Sequence, residues 1–355
     1  MSLGSANRFD LIRLLLAAGV FAYHAVALSA VAPDSALEVA FSQLAEVSIQ
    51  GFFIVSGALV AGSLVRARNL ADYAGKRARC LYPAYAVIIL IPAAISLALT
   101  QDGQGVLRYL AANLTFANFI EPNLPGLFAG NRFTEVNGAL WTLKIEVMFY
   151  IALPLILLVL NSLRRFWWAG IALLYIAGEA WALLLPSLED AHLGNALARQ
   201  LPGQIAFFAM GITVWKLEPA LRPRWAMLGL AGAVLLAVSL AHPLLAPLRA
   251  LALTGLIAAI AFAPGPSLNA ARFGDISYGL YITHFPILQA MLAAGLLPAL
   301  GAPAFFALAT LLVLAASYAL WHLVEKPALR PSSHYRKVAG KNPPHEETPH
   351  ERPEF

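Results

Sequence analysis

Residues 303–324 read PAFFALATLLVLAASYALWHLV, without one Asp, Glu, Lys or Arg. A helix crossing the hydrocarbon core of a bilayer needs about 20 consecutive, mostly apolar residues, so this stretch reads as a transmembrane helix. Working outward from it, nine more segments meet the same rule: 10–29, 44–65, 81–100, 139–160, 167–186, 201–217, 225–241, 247–263 and 276–296. Breaker residues such as Pro83, Pro186, Pro264 and Gly265 mark several ends. The whole chain agrees with these segments. Its 355 residues are 60% hydrophobic and 12% charged, against roughly 45–50% and about 25% in soluble globular domains. The expected fold is therefore all-α: a polytopic transmembrane helical bundle of about ten spans.

The net charge of +5 does not point to nucleic acid, because the basic residues sit in short clusters between apolar stretches. Lys and Arg accumulate in cytoplasmic loops. One set of connections holds Arg66, Arg68, Lys76, Arg77 and Arg79, then Arg164 and Arg165, then Lys216, Arg222 and Arg224, then Arg272; the alternate set holds only Arg108, Arg132, Arg199 and Arg249. The alternation predicts an even number of crossings with both termini cytoplasmic, in a cell inner (plasma) membrane. Ala30-Val31-Ala32 weakly resembles a signal cleavage site, but Arg13 interrupts the preceding apolar run and Pro33 would follow the cut, so the first segment reads as a retained helix. Residues 1–330 form the transmembrane domain. Residues 331–355 are polar and read as a disordered cytoplasmic tail. Residues 101–138 read as a long outer loop, of the kind that is often functional. Cys80 is the single cysteine, which excludes an intrachain disulfide. There is no internal repeat, and no phosphate-binding loop, zinc-helix motif or paired-glycine nucleotide fingerprint.

Ionisable groups at membrane depth cost a few kcal/mol each on insertion scales and mark functional sites by default. The first segment holds three: Asp10, Arg13 and His24. At about 100° per residue, Arg13 and His24 fall within roughly 20° of each other on the helical wheel, and Asp10 lies within about 60° of both. Arg13 belongs toward the cytoplasm and His24 toward the outer half, roughly 16 Å along the axis. A snorkelling Arg and a His bonded to a backbone carbonyl are the plain structural alternatives. Lys144 and Glu146 are two residues apart and point in nearly opposite directions, so they cannot serve one site. Glu146 is either a structural partner or a catalytic group. Ser277, Tyr281 and His284 recur at i, i+4 and i+7, a polar stripe that should face the bundle interior as helix-to-helix glue or as a ligand contact. Gly51, Ser56 and Gly57 suit close helix approach. Glu325, before Lys326-Pro327, reads as the end of the last helix, and Glu46 and Glu179 receive no role. Buried His, Glu and Arg are also what a proton-coupled or solute transporter uses, and a non-catalytic glycan-binding membrane component is a third reading.

These islands together resemble the membrane-bound acyltransferase-3 family. Arg8-Phe9-Asp10-Leu11-Ile12-Arg13 is similar to its N-terminal signature, and Arg13 and His24 to its first-helix pattern of a basic residue, ten others, then histidine. Gly51-Phe52-Phe53-Ile54-Val55-Ser56-Gly57 looks like its second-helix segment. Asn137-Gly138-Ala139-Leu140-Trp141-Thr142-Leu143-Lys144-Ile145-Glu146-Val147-Met148-Phe149-Tyr150 is the most distinctive match. Ile276 through His284, and Glu325-Lys326-Pro327, look like its C-terminal marks. One departure stands out. The family often has two arginines three apart before the third helix; counted back from Pro83, Arg77 matches the first, but Cys80 occupies the second, while Lys76 and Arg79 keep the spacing one residue earlier.

The resemblance implies an O-acyltransferase that moves an acyl group, commonly acetyl, from cytoplasmic acyl-CoA to a hydroxyl of a sugar or glycan outside. The implied partners are acyl-CoA such as acetyl-CoA, a sugar or glycan acceptor and the lipid bilayer, with no nucleic acid, no metal and no permanently bound cofactor. Forked guanidinium groups match phosphate oxygens, so Arg13, Arg77 and Arg79 are the expected donor-binding residues. His24 is the expected general base, because its pKa lies near operating pH; a covalent acyl-histidine is the alternative. Glu146 would orient a partner or stabilise charge. Asp10, Trp141, Tyr281 and His284 would contact substrate, with Tyr281 or His284 donating to the thioester oxygen.

Overall fold

The computed structural model describes residues 8–266 and 274–329, and every regular element among them is helical. The physical reason is that hydrocarbon offers no partner for backbone polar groups, and a helix satisfies its own. The main helices are α1 (Phe9–Ser29), α2 (Ala36–Val65), α3 (Leu70–Thr100), α4 (Gly103–Asn113), α5 (Trp141–Ser162), α6 (Trp167–Leu184), α7 (Ala191–Ala198), α8 (Leu201–Lys216), α9 (Trp225–Ala241), α10 (Leu248–Phe262), α11 (Ser277–Ala293) and α12 (Ala302–Leu320). The expected tail, 331–355, and the loop basic residue Arg272 lie outside the described residues.

Each of the ten expected segments falls on one of these helices. Seven helical stretches are long and apolar enough to cross a membrane: Phe9–Ser29, Ala36–Val65, Leu70–Thr100, Gly138–Ser162, Arg164–Ser187, Glu218–Ala241 and Ala302–Ala328. The other three segments became α8, α10 and α11, with 16, 15 and 17 residues, at or just under the shortest length that spans a bilayer. They are covered by neighbouring helices: α8 packs between α2 and α6, α10 against α9, and α11 between α1 and α12.

The structure corrects three boundaries. Helix α3 starts eleven residues before the expected segment, because Asn69 caps it by accepting from the Asp72 N–H at 2.8 Å. The basic cluster 76–79 is therefore part of the helix. The expected loop 101–138 begins with α4, capped by Asp102, whose Oδ1 accepts from the Gly105 N–H at 2.9 Å, and buried along Val106, Tyr109 and Asn113. Glu325 does not end the last helix. Helix α12 stops at Leu320, a π-turn runs over Trp321–Glu325, and Lys326–Ala328 is helical again. Such insertions re-aim side chains and recur at functional sites; here Glu325 is turned into the interior, 5% exposed.

Apolar packing forms two cores. One gathers Ile54, Phe149, Phe208, Ile212 and Leu253 from α2, α5, α8 and α10. The other gathers Tyr85, Tyr109, Ile282 and Phe305 from α3, α4, α11 and α12. Helix α1 belongs to both, contributing Phe9 and Ile12 to the first and Ala17, Val20 and Leu28 to the second. Helix α5 does the same, with Leu143 in the second core and Ile145 in the first. The seam between the cores thus passes α1 at residues 12–17 and α5 at residues 143–145, beside Arg13 and Glu146. In the first core α2 and α8 meet backbone to backbone: a Cβ on Gly57 would stand 2.4 Å from the Phe208 carbonyl oxygen, and one on Gly211 would stand 2.1 Å from that of Ile54. Gly57 therefore has the close-approach role read from the sequence.

Candidate active site

A cavity of about 110 Å³ lies on the seam. Five helices line it, and each presents a face dictated by helical spacing. Thr142, Glu146 and Tyr150 of α5 are four residues apart and share one face; all three line the cavity. Lys144 points away, its Nζ 4.4 Å from the Phe119 ring centroid, as its two-residue offset from Glu146 requires. The Glu146 carboxylate is held on one oxygen by two hydroxyls: Ser56 Oγ donates to it at 2.7 Å and Tyr150 OH donates from one turn away. Ser56, read from the sequence as a packing residue, is thus a partner of Glu146.

On α3 the residues facing the cavity are Arg77, Cys80 and Leu81. Arg77 donates to Ser63 Oγ at 3.2 Å and lies 5.8 Å from the Tyr150 ring centroid. Lys76 instead pairs with Asp72 at 2.8 Å, and Arg79 is exposed and does not line the cavity. The register counted back from Pro83 is the one that faces inward. A second, apolar groove between α3 and α5 shares Arg77, Leu81 and Tyr150 with the cavity.

Arg13 reaches the cavity from α1 and forms an ion pair with Asp275. The geometry of Asp275 is set by the residues around it. Gly274, at φ 121°, makes the turn before α11, and a Cβ there would stand 2.4 Å from the Trp321 ring. Asp275 Oδ1 then accepts from Ser277 Oγ at 2.6 Å. Glu325 lies within electrostatic reach of both Arg13 and Asp275, so one guanidinium faces two buried carboxyl groups. The sequence reading missed Asp275. Its signal was there one residue before the recognised stretch: an Asp side chain accepts from the backbone N–H two residues on, here that of Ser277 at 3.4 Å.

Farther along α11, Tyr281 closes the cavity. Its hydroxyl is 2.6 Å from Thr142 Oγ1 and donates to the Ala139 carbonyl at 3.3 Å. Beyond it lies a pair of histidines. His284 Nε2 is 2.9 Å from His24 Nδ1, and His284 Nδ1 is 3.0 Å from the Leu280 carbonyl oxygen. Both ring nitrogens of His284 are therefore engaged, which leaves it no N–H for a thioester oxygen, contrary to the expectation above. Tyr23 and Phe285 flank the His24 ring, each with its centroid about 5 Å away. The segment between α4 and α5 is stitched to this end of the bundle. Gln289 Nε2 donates to the Phe133 and Glu135 carbonyls at 2.7 and 2.8 Å, and Asn137 Nδ2 donates to the Ile282 carbonyl at 2.8 Å. Arg132 donates to the Ala27 carbonyl of α1 at 2.8 Å.

The structure thus gathers Arg13, Arg77, Glu146 and Tyr281 around one cavity and places His24 and His284 together beyond it. Asp10 and Trp141 do not line the cavity; Trp141 packs on the first core. Glu46, to which the sequence assigned nothing, pairs with Arg249 at 2.7 Å.

The family described as Acyltransferase domain matches residues 7–322. Two curated proteins are similar over nearly the full length of both chains. Nodulation protein 10 of Rhizobium leguminosarum bv. viciae is 28% identical, covering 93% of this chain and 95% of its own. The O-acetyl transferase of Shigella phage Sf6 is 26% identical, covering 92% of this chain and 97% of its own. No solved structure matches the chain. With a family match spanning both the cavity and the histidine pair, the chain belongs to the acyltransferase-3 family of membrane proteins and is an O-acyltransferase.

Proposed function

We propose that the protein transfers an acyl group, acetyl in the first instance, from cytoplasmic acyl-CoA to a hydroxyl of a sugar or glycan on the opposite face of the inner membrane. Both termini are then cytoplasmic, and the Arg13 end of α1 faces the donor. The observation that carries this reading is the arrangement along one polar face of α1: an arginine-lined cavity at Arg13 and a histidine pair at His24. The cavity has room for the thioester end of a donor and not for its nucleotide. Arg77 and Arg13 stand where phosphate or the thioester carbonyl would need positive charge.

In the reaction the acceptor hydroxyl oxygen bonds to the thioester carbonyl carbon, and His24 takes the hydroxyl proton. The C–S bond breaks, coenzyme A leaves as thiolate, and His24 returns the proton to it. A hydroxyl is a poor nucleophile until a base removes its proton, and such assistance is worth about 10²–10⁴ in rate. Glu146, held by Ser56 and Tyr150, orients polar groups at the donor. The segment over the His24 end, from Phe116 to Asn137, contributes to acceptor choice.

His24→Gln and His24→Ala should both abolish acyl transfer from radiolabelled acetyl-CoA to envelope glycans while the protein still inserts in the membrane. Transfer at a near-normal rate in either variant removes His24 from the mechanism.

A further inference from the structure

His284 has both of its ring nitrogens assigned by geometry, and this fixes the protons of its neighbour. A carbonyl oxygen only accepts, so the Nδ1 that stands 3.0 Å from the Leu280 oxygen carries hydrogen. His284 is 0% exposed, and burial of an imidazole without an opposing carboxylate favours its neutral form. In the neutral ring with hydrogen on Nδ1, Nε2 holds a lone pair. The 2.9 Å contact between that Nε2 and His24 Nδ1 is then a hydrogen bond only if His24 Nδ1 is the donor. The two rings meet edge to edge, as an N–H···N bond requires: their centroids stay 5.0 Å apart with 27° between planes while the nitrogens are at 2.9 Å.

We propose that His284 is the positioning residue for His24: through the chain Leu280 carbonyl, His284, His24, it holds His24 as the Nδ1–H tautomer and leaves the His24 Nε2 lone pair to take the acceptor proton. The inference rests on His24 being the base. It gives His284 the part that a carboxylate plays in a Ser-His-Asp triad, namely orientation and tautomer control, with a neutral group in place of a charge. When His24 gains the substrate proton on Nε2, its Nδ1–H remains donated to the lone pair of His284, so the imidazolium is solvated within the bundle without a second charge being buried. This also explains why a histidine occupies a fully buried site of a membrane helix: it has to donate to its own helix and accept from the next one, a combination that no aliphatic side chain supplies.

The test compares two substitutions of similar size with opposite chemistry. His284→Gln keeps an amide oxygen to accept from His24 and an N–H for the Leu280 carbonyl. His284→Leu keeps the bulk and removes both. Positioning predicts that His284→Leu lowers kcat about 100-fold or more, with donor KM within about twofold, and that His284→Gln restores at least a tenth of the wild-type kcat. A packing role predicts the reverse order, because leucine is the better fit to an apolar interior; leucine equal to or better than glutamine overturns the proposal. The second measurement needs no variant activity. In full-length protein with nitrogen-15 histidine in lipid nanodiscs, a through-hydrogen-bond coupling between two imidazole nitrogens is expected, with both rings as neutral Nδ1–H tautomers. Hydrogen on Nε2 of His24 overturns the assignment even if His24 proves essential. If His24→Gln is active while the coupling is present, the catalytic reading of His24 fails and the hydrogen-bond chain stands.

Discussion

Arg13 and His24 stand eleven residues apart on one face of α1, yet their surroundings differ in kind. Around Arg13 the partners are charged: Asp275 in direct contact and Glu325 in reach, with Arg77 and Glu146 lining the same cavity. Around His24 they are neutral: His284, the Tyr23 and Phe285 rings, and beyond them the Tyr281–Thr142 pair. Charge in a low-dielectric interior is costly unless matched, so the Arg13 end needs its carboxylates, and under the proposed function this is the end that would hold an anionic donor. Where a proton has to move, a neutral hydrogen-bond chain serves better, because a fixed charge nearby would pin the proton on one side. The seam between the two cores lets one helix serve both environments.

The largest expected effect breaks the charged end. Asp275→Ala removes the carboxylate that pairs with the Arg13 guanidinium, and removing one partner of a buried pair costs about 3–5 kcal/mol. Unfolding of the detergent-solubilised protein should shift accordingly, with Asp275→Ala/Glu325→Gln worse than Asp275→Ala alone. At the neutral end His284→Leu leaves the His24 imidazole N–H without its partner, a loss of about 1–3 kcal/mol. The contrast therefore predicts that Asp275→Ala damages stability more, whereas His284→Leu damages turnover more. A larger stability loss in His284→Leu would show that the two ends do not differ as described.

The second effect is on donor affinity. Arg77 lines the cavity and donates to the neutral hydroxyl of Ser63, and Arg13 pairs with the Asp275 carboxylate. Arg77→Ala should raise the KM for acetyl-CoA about tenfold, equivalent to about 1.4 kcal/mol, with a smaller change in acceptor KM. Arg77→Lys should recover part of this, since an ammonium keeps the charge and loses the fork. Unchanged donor KM in Arg77→Ala would move donor binding away from the cavity.

Much of this was legible in the sequence, for reasons that can be stated. Runs of apolar residues located all ten segments because hydrocarbon demands them. The helical wheel put Arg13 and His24 on one face, and the two-residue offset separated Lys144 from Glu146. What the sequence did not show depends on contacts across the chain. His24 meets His284 across 260 positions, and Ser56 meets Glu146 across 90; neither pairing has a local signal. Helices α8, α10 and α11 are shorter than the segments expected for them, because a run of apolar residues carries no local mark of where a helix covered by its neighbours ends. Arg79 was chosen with Arg77 because both are basic and adjacent to the recognised spacing, and only the rotation of α3 tells them apart.

That rotation yields the smallest prediction and the sharpest use of it. Arg77 and Cys80 are three apart and face the cavity; Lys76 and Arg79 are also three apart, one residue earlier, and turn away from it. A one-residue step on a helix rotates a side chain by about 100°, enough to exchange the interior for the surface. Arg79 is exposed with no ion pair among the described residues, so Arg79→Ala should change stability by at most about 0.5 kcal/mol. Its donor KM should stay within about twofold of the unsubstituted protein, against about tenfold for Arg77→Ala. Measured side by side on acetyl-CoA, the two alanines give the register of α3 directly. Equal effects would mean that the donor reaches across the helix surface, and a larger effect from Arg79 would place the phosphate contacts outside the cavity, on the face that Lys76 and Asp72 occupy.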